Sequence, residues 1–187
     1  EAGIQPMALL SLMARLGSSD PVELRGSHEE LIEGFDLSHF GAAPTKFDAE
    51  DLKPLTARHL AGLPLEAVAD DVRAAGVPDA LAGQFWTVVR ENIDTLADLP
   101  GWWSVFADGA TTAPEAEDAE FVRDAIGLLG QPPYGPETWS EWTSAAKEAS
   151  GRKGRGLFAP LRRAVTGRDR GPEMADVMPL LQVKPRG

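Results

Sequence analysis

Fifteen prolines and nineteen glycines punctuate this 187-residue chain, and the apolar residues between them recur every three or four positions. That spacing lines one face of an α-helix and cannot line one face of a strand, which needs strict alternation. Met7, Leu10, Met13 and Leu16 form one such apolar stripe before Gly17. Ser27-His28-Glu29-Glu30 reads as a capping box, with Ser27 accepting an orphan N–H and Glu30 reaching back. It opens a short helix through Leu31, Ile32 and Phe35. Asp48 is placed to cap Ala49–Leu52, and Pro64 to begin a helix carrying Leu65, Val68 and Val72 that Gly76 ends. Pro78 opens a longer helix through Leu81, Phe85, Val88, Val89, Ile93 and Leu96, which Pro100-Gly101 is expected to break. The polar stretch Asp108–Pro114 reads as a linker, and Pro114-Glu115 as the start of an acidic-first helix with Phe121, Val122, Ile126 and Leu129. The prolines of Gln131–Pro136 exclude helix there. Further helices are expected around Trp139–Ala149, Leu157–Val165 and Pro172–Leu181. There is no alternating strand pattern and no internal repeat, so the fold class is all-α.

The net charge of −11 is unevenly spread. From Gly151 onward nine basic residues (Arg152, Lys153, Arg155, Arg162, Arg163, Arg168, Arg170, Lys184, Arg186) face only Asp169, Glu173 and Asp176. That surplus of six leaves −17 on the remainder. An acidic body with a basic end points to a polyanion that approaches one end only. A solvated basic tail is the plainer alternative.

No apolar run approaches the roughly 20 residues a membrane helix needs, and no basic segment precedes an apolar one as in a signal peptide. Zero cysteines exclude disulfides and thiolate metal sites. A cytoplasmic location is the expectation. The chain opens on Glu1 rather than Met, so it is expected to be a piece of something longer. His28, His39 and His59 lack metal-pair spacing, and neither Asp70-Asp71 nor Glu115, Glu117, Asp118 and Glu120 make a metal site. There is no phosphate loop and no nucleophile–base arrangement, so no residue is assigned as catalytic. The five tryptophans, Trp86, Trp102, Trp103, Trp139 and Trp142, are expected in the core rather than stacked on bases.

The basic tail carries the most specific signal. Gly151-Arg152-Lys153-Gly154-Arg155-Gly156-Leu157-Phe158 leads into Ala159-Pro160-Leu161-Arg162-Arg163-Ala164-Val165-Thr166-Gly167, and Gly171-Pro172-Glu173-Met174 follows. This order resembles the end of bacterial glutamyl-tRNA synthetases, where a Pro-Leu-Arg-x-Ala-x-Thr-Gly helix end precedes a small-residue–Pro turn. Three upstream segments are similar in order to the same family. These are Glu1–Gly17, Leu31–Asp36 with Pro44–Asp48, and Val89–Leu96. The likeness departs at Leu181–Gly187, where the family continues in a basic, Leu-rich helix.

The resemblance implies a stem-contact remnant over 1–62, a helical cage over 63–113 and a basic C-terminal anticodon-binding bundle over 114–187. It implies that the parent is a class I ligase attaching glutamate to tRNA with ATP and Mg²⁺, and that this chain, lacking the catalytic motifs, uses no cofactor and catalyses nothing alone. The partners implied are tRNA(Glu) and also tRNA(Gln), with no DNA and no membrane, for a monomer. Asn92, Arg162, Gly171, Pro172 and Met174 are the candidate anticodon contacts, and Lys46, Arg152, Lys153 and Arg155 the candidate phosphate contacts. Arginine can donate two parallel hydrogen bonds to a base edge, and single-stranded loops are where such edges are read. In discriminating members of the family an arginine stands at the position of Asn92 and reads the third anticodon base. Asparagine is shorter and both donates and accepts, so it cannot enforce the same choice. A helical scaffold whose basic tail docks an acidic protein is the competing reading.

Overall fold

A computed structural model describes residues 3–42 and 45–186. Glu1, Ala2 and Pro44, which belong to the family-like segments, lie outside the described residues, as do Ala43 and Gly187. Among the described residues every regular element is helical, apart from one isolated antiparallel bridge between Ser18 and Phe40. The all-α expectation therefore stands. The chain folds as two compact units, Glu1–Ala69 with Arg90–Asp98 and Asp70–Val89 with Leu99–Gly187. The segment proposed as a cage, 63–113, contributes to both.

Unit 1 contains α1 (Pro6–Met13), α2 (His28–Glu33) and α3 (Leu52–Gly62). Helix α1 packs on α3 through Ala8, Leu12, Leu52 and Leu55. The stripe expected to face inward does not do so, since Leu10 and Met13 are exposed. The buried face is instead Ala8, Ser11 and Leu12. A helix of eight residues in which Ser11 is the one polar side chain offers two candidate faces, and only the position of α3 chooses between them. The capping box forms as read, with Ser27 Oγ accepting from Glu30 N at 3.2 Å. Glu30 Oε2 reaches back to Gly26 N at 2.9 Å, one residue earlier than the motif expects. Asp48 caps the 3₁₀ turn Ala49–Asp51 that runs into α3. His39 Nδ1 lies 2.9 Å from Asp20, which also takes Arg15 at 3.1 Å. The Asp20 carboxylate raises the His39 pKa above its ordinary value.

Unit 2 contains the rest: α4 (Ala69–Ala74), which begins at the unit boundary, then α5 (Asp79–Val89), α6 (Leu99–Asp108), α7 (Ala119–Leu128), α8 (Thr138–Ser150), α9 (Arg155–Thr166) and α10 (Met174–Val177). Two expectations are corrected here. Pro100-Gly101 does not break a helix. Pro100 occupies the first turn of α6, where its missing N–H has no partner to lose. The helix before it ends at Val89 instead. The acidic stretch after Pro114 is also not yet helix, since α7 starts at Ala119.

The core of unit 2 is aromatic. Phe85 meets Trp103 and Phe106 edge-on at 5.8 and 6.0 Å between centroids. Trp102 packs against Phe106 at 5.9 Å. Helices α7, α8 and α9 pack on one another, and the buried Trp142 Nε1 donates to Ala125 O at 2.6 Å, tying α8 to α7. Four tryptophans are buried as expected, and Trp139 is half-buried against Trp142. The stretch 109–114 is irregular, yet Gly109 and Ala110 are buried, so its first part is packed structure rather than a free linker. The segment 180–182 is packed as well. Gln182 N donates to Phe106 O at 2.8 Å, and Leu180 and Leu181 are buried.

Candidate nucleic-acid interface

Helix α9 organises the basic region. Leu157, Leu161, Ala164 and Val165 are buried, at the i, i+4, i+7, i+8 spacing of an inward helix face. Arg155, Phe158, Ala159 and Arg162 then fall together on the outward face. The helix stops at Gly167, whose φ of +69° gives the left-handed cap that suits glycine. Gly167 N donates to Arg163 O at 2.7 Å. The Thr166 hydroxyl lies 2.9 Å from Arg162 O and accepts from Arg168 N at 3.2 Å, which starts the following turn. A Cβ on Gly167 would come to 3.0 Å from Thr112 Oγ1. Gly167→Ala should therefore cost about 1–2 kcal/mol, the left-handed penalty for an L-residue with a side chain. Gly101→Ala, helical and with nothing within 4 Å of its added Cβ, should be neutral or slightly stabilising. Urea unfolding followed by tryptophan emission distinguishes the two.

The loop 168–173 returns over α9 and α6. Arg162 Nη1 donates to Pro172 O at 2.8 Å. This one bond brings Arg162 to the Gly171-Pro172 turn, nine and ten residues further along the chain. It leaves other guanidinium N–H groups of Arg162 for a ligand. Gly171, at φ +155°, lies so close to Trp102 that a Cβ would sit 3.3 Å from Cη2. The Arg168 guanidinium stacks over the Trp102 ring at 3.9 Å. Pro172 is buried, and Met174 is 2% exposed. Met174 therefore anchors the turn from below, and its side chain is not presented to a ligand.

Two of the tail's cations, Arg152 and Arg163, are held in ion pairs. Arg152, expected on phosphate, pairs with Asp118, reaches Gly156 O at 3.2 Å and lies over the Phe121 ring at 4.2 Å. The Gly156 contact has a local cause. Pro160 inside α9 has no N–H to give the carbonyl four residues earlier, and Arg152 supplies that donor. Arg163 bridges Glu115 and Asp169, with Nε to Asp169 at 2.9 Å. Lys153 and Arg155 are exposed. Lys46 is exposed in unit 1. Asn92 is half-buried in the turn after α5, also in unit 1, rather than on a helix.

Three depressions flank α7–α9. One of about 340 Å³ carries Glu117, Glu120 and Asp124 against Arg152. One of about 440 Å³ carries Glu115, Glu117 and Asp118 against Arg155 and Arg163. The third, of about 350 Å³, carries Arg155, Arg162 and Arg170 against Asp169 alone, with Phe158 and Ala159. Of the three, only this last has a positive lining, and Asp169 within it is tied to Arg163. Phe158 and Arg170 were not singled out from sequence. An apolar residue on the polar face of a basic helix was the available signal.

A family model described as an anticodon binding domain matches residues 49–184. The chain belongs to this family. Among curated relatives, this anticodon-binding domain is 66% identical over 96% of its length to glutamate–tRNA ligase 1 of Cereibacter sphaeroides, of which it covers 41%. It is 66% identical over 98% of its length to glutamate–tRNA ligase 2 of Dinoroseobacter shibae, covering 42% of that protein. The chain thus spans about two fifths of the length of these relatives. Its fold is shared with a glutamate tRNA ligase of Elizabethkingia meningosepticum, at a TM-score of 0.69 and 23% identity over 95% of this chain and 38% of that one. Among the described residues no helix is long and apolar enough to cross a membrane.

Proposed function

We propose that this anticodon-binding domain reads the anticodon loop of tRNA(Glu) for a parent that attaches glutamate to tRNA. The observation that carries the reading is the Arg162–Pro172 hydrogen bond beside the positively lined depression. It fixes an arginine next to a turn at the depression that, of the three flanking α7–α9, has a positive lining. Arg162, Gly171 and Pro172 form the base-reading set, and Lys153, Arg155 and Arg170 the phosphate set. Arg152 leaves the phosphate set because it is committed within the fold. Lys46 stays as a separate phosphate contact from unit 1. The parent's ATP and Mg²⁺ belong to its remaining length, and the proposal assigns neither to this chain. Among the described residues no group of three or more His, Asp or Glu side chains is arranged to hold a metal ion.

The test is fluorescence anisotropy with a labelled tRNA(Glu) anticodon stem-loop. Arg162→Ala should weaken binding by about 2 kcal/mol, some thirtyfold, with a smaller effect on a scrambled loop. Equal loss on both loops would make Arg162 a charge contact only. Tighter binding to an acidic protein than to any RNA would favour the scaffold reading.

Asn92 deepens the proposal. A parent with asparagine there charges both tRNA(Glu) and tRNA(Gln) with glutamate, because the donor-only side chain that would favour one third base is missing. Aminoacylation of both transcripts by the parent should differ by less than about a hundredfold, or roughly 2.7 kcal/mol. A larger gap would mean that Asn92 does not relax the choice.

A further inference from the structure

We propose that Phe158 is a stacking platform for one unpaired base of the loop RNA, with Arg155, Arg162 and Arg170 arranged around it. This rests on the reading that this face meets an anticodon loop. Phe158 is 45% exposed, while its helix neighbours Leu157 and Leu161 are 1% and 0% exposed. It stands at the margin of the buried face, three residues before Leu161 and seven before Val165, with nearly half its surface open beside Arg155 and Arg162. Arg155 lies one turn before it and Arg162 one turn after it. Arg170 approaches from the following loop, and all four line the same depression of about 350 Å³. Asp169 would oppose an anion there, but Arg163 holds it at 2.9 Å.

The occupant follows from this combination. A wholly apolar partner would cover the ring but strip water from three guanidinium groups without neutralising them, which is costly. A nucleotide satisfies both demands. Its base offers a π-face to the phenyl ring, and its phosphates take Arg155 and Arg170. Such a platform is indifferent to base identity. It supplies affinity and holds the strand, while Arg162 and the turn at Gly171-Pro172 are left to discriminate.

The experiment uses the full 187-residue chain and tRNA(Glu) anticodon stem-loops carrying 2-aminopurine at each loop position in turn. Affinity is read by anisotropy and stacking by 2-aminopurine emission. Phe158→Leu should weaken binding about tenfold or more, abolish the emission change at one loop position and leave the salt dependence unaltered. Phe158→Trp should keep both affinity and emission change. Circular dichroism should show both variants folded, since the side chain is exposed. If Phe158→Leu binds within twofold of wild type while Arg162→Ala is impaired, the interface reading stands and the platform is wrong. If Leu and Trp variants are equally impaired, the ring does not act by stacking and the proposal is overturned. If wild type binds the stem-loop no better than a fully paired hairpin, the interface reading fails and the platform fails with it.

Discussion

Trp102→Ala should lower the stability of unit 2 by about 3–5 kcal/mol, the range for removing a buried aromatic side chain. Trp102 is 1% exposed and packs against Phe106 in the centre of the unit. Its outer edge also carries the loop that holds the candidate interface, through the Arg168 guanidinium at 3.9 Å and the close approach of Gly171. The truncation should therefore leave a cavity and loosen the 168–171 loop together. Trp102→Phe, which keeps a ring, should cost much less than the alanine change. The measurement is convenient because all five tryptophans, Trp86, Trp102, Trp103, Trp139 and Trp142, lie in unit 2. Tryptophan emission in urea thus follows this unit alone, with four indoles still reporting in the variant. RNA binding below the unfolding transition should also weaken, because Arg168, Gly171 and Pro172 lose their support. A loss under about 1 kcal/mol would mean that the pocket collapses around the gap and that Trp102 does not anchor the loop.

The all-α class and several helix ends were legible because their causes are local, whereas α6 was not expected as a helix. Ser27 with Glu30, Asp48 before its turn, Gly76, Gly167 and the prolines of 132–136 act within a few residues of themselves. The resemblance put Arg162 and Gly171-Pro172 in one candidate set, and the helix stop at Gly167 is what lets the chain return to Arg162 within ten residues. What escaped is non-local. Arg152 meets Asp118 across 34 positions and Arg163 meets Glu115 across 48. Sequence could count those charges but could not pair them. The inward face of α1 depends on α3, and the support under the 168–171 loop comes from Trp102, far upstream. Pro100 misled because the same residue can end one helix or begin the next. Only the turn at 90–95 shows that the earlier helix had already stopped.

That pairing sets the second large effect, the response of RNA binding to salt. Between Arg152 and Arg170 the sequence offers seven cations. If all seven met single-stranded phosphates, log K would fall with log salt at a slope of about −5. Arg152 and Arg163 are held by Asp118, Glu115 and Asp169, so binding RNA releases no counterions from them. Five cations remain without a carboxylate partner, the phosphate set Lys153, Arg155 and Arg170 together with Arg162 and Arg168, and if RNA displaces counterions from all five the slope is about −3.5. Raising salt fourfold should then weaken stem-loop binding by about a hundredfold, against roughly a thousandfold for seven contacts. Single substitutions separate the two sets. Arg155→Gln should make the slope shallower by about 0.7. Arg152→Met keeps an apolar stem over Phe121; it should cost stability by stranding Asp118 and the Gly156 carbonyl while leaving the slope where it was. A slope shallower than about −1.5 would remove most of this face from the phosphate contacts. Equal slope changes from Arg152→Met and Arg155→Gln would mean that RNA displaces Asp118, and that the Arg152–Asp118 ion pair is a competitor for the ligand rather than part of the scaffold.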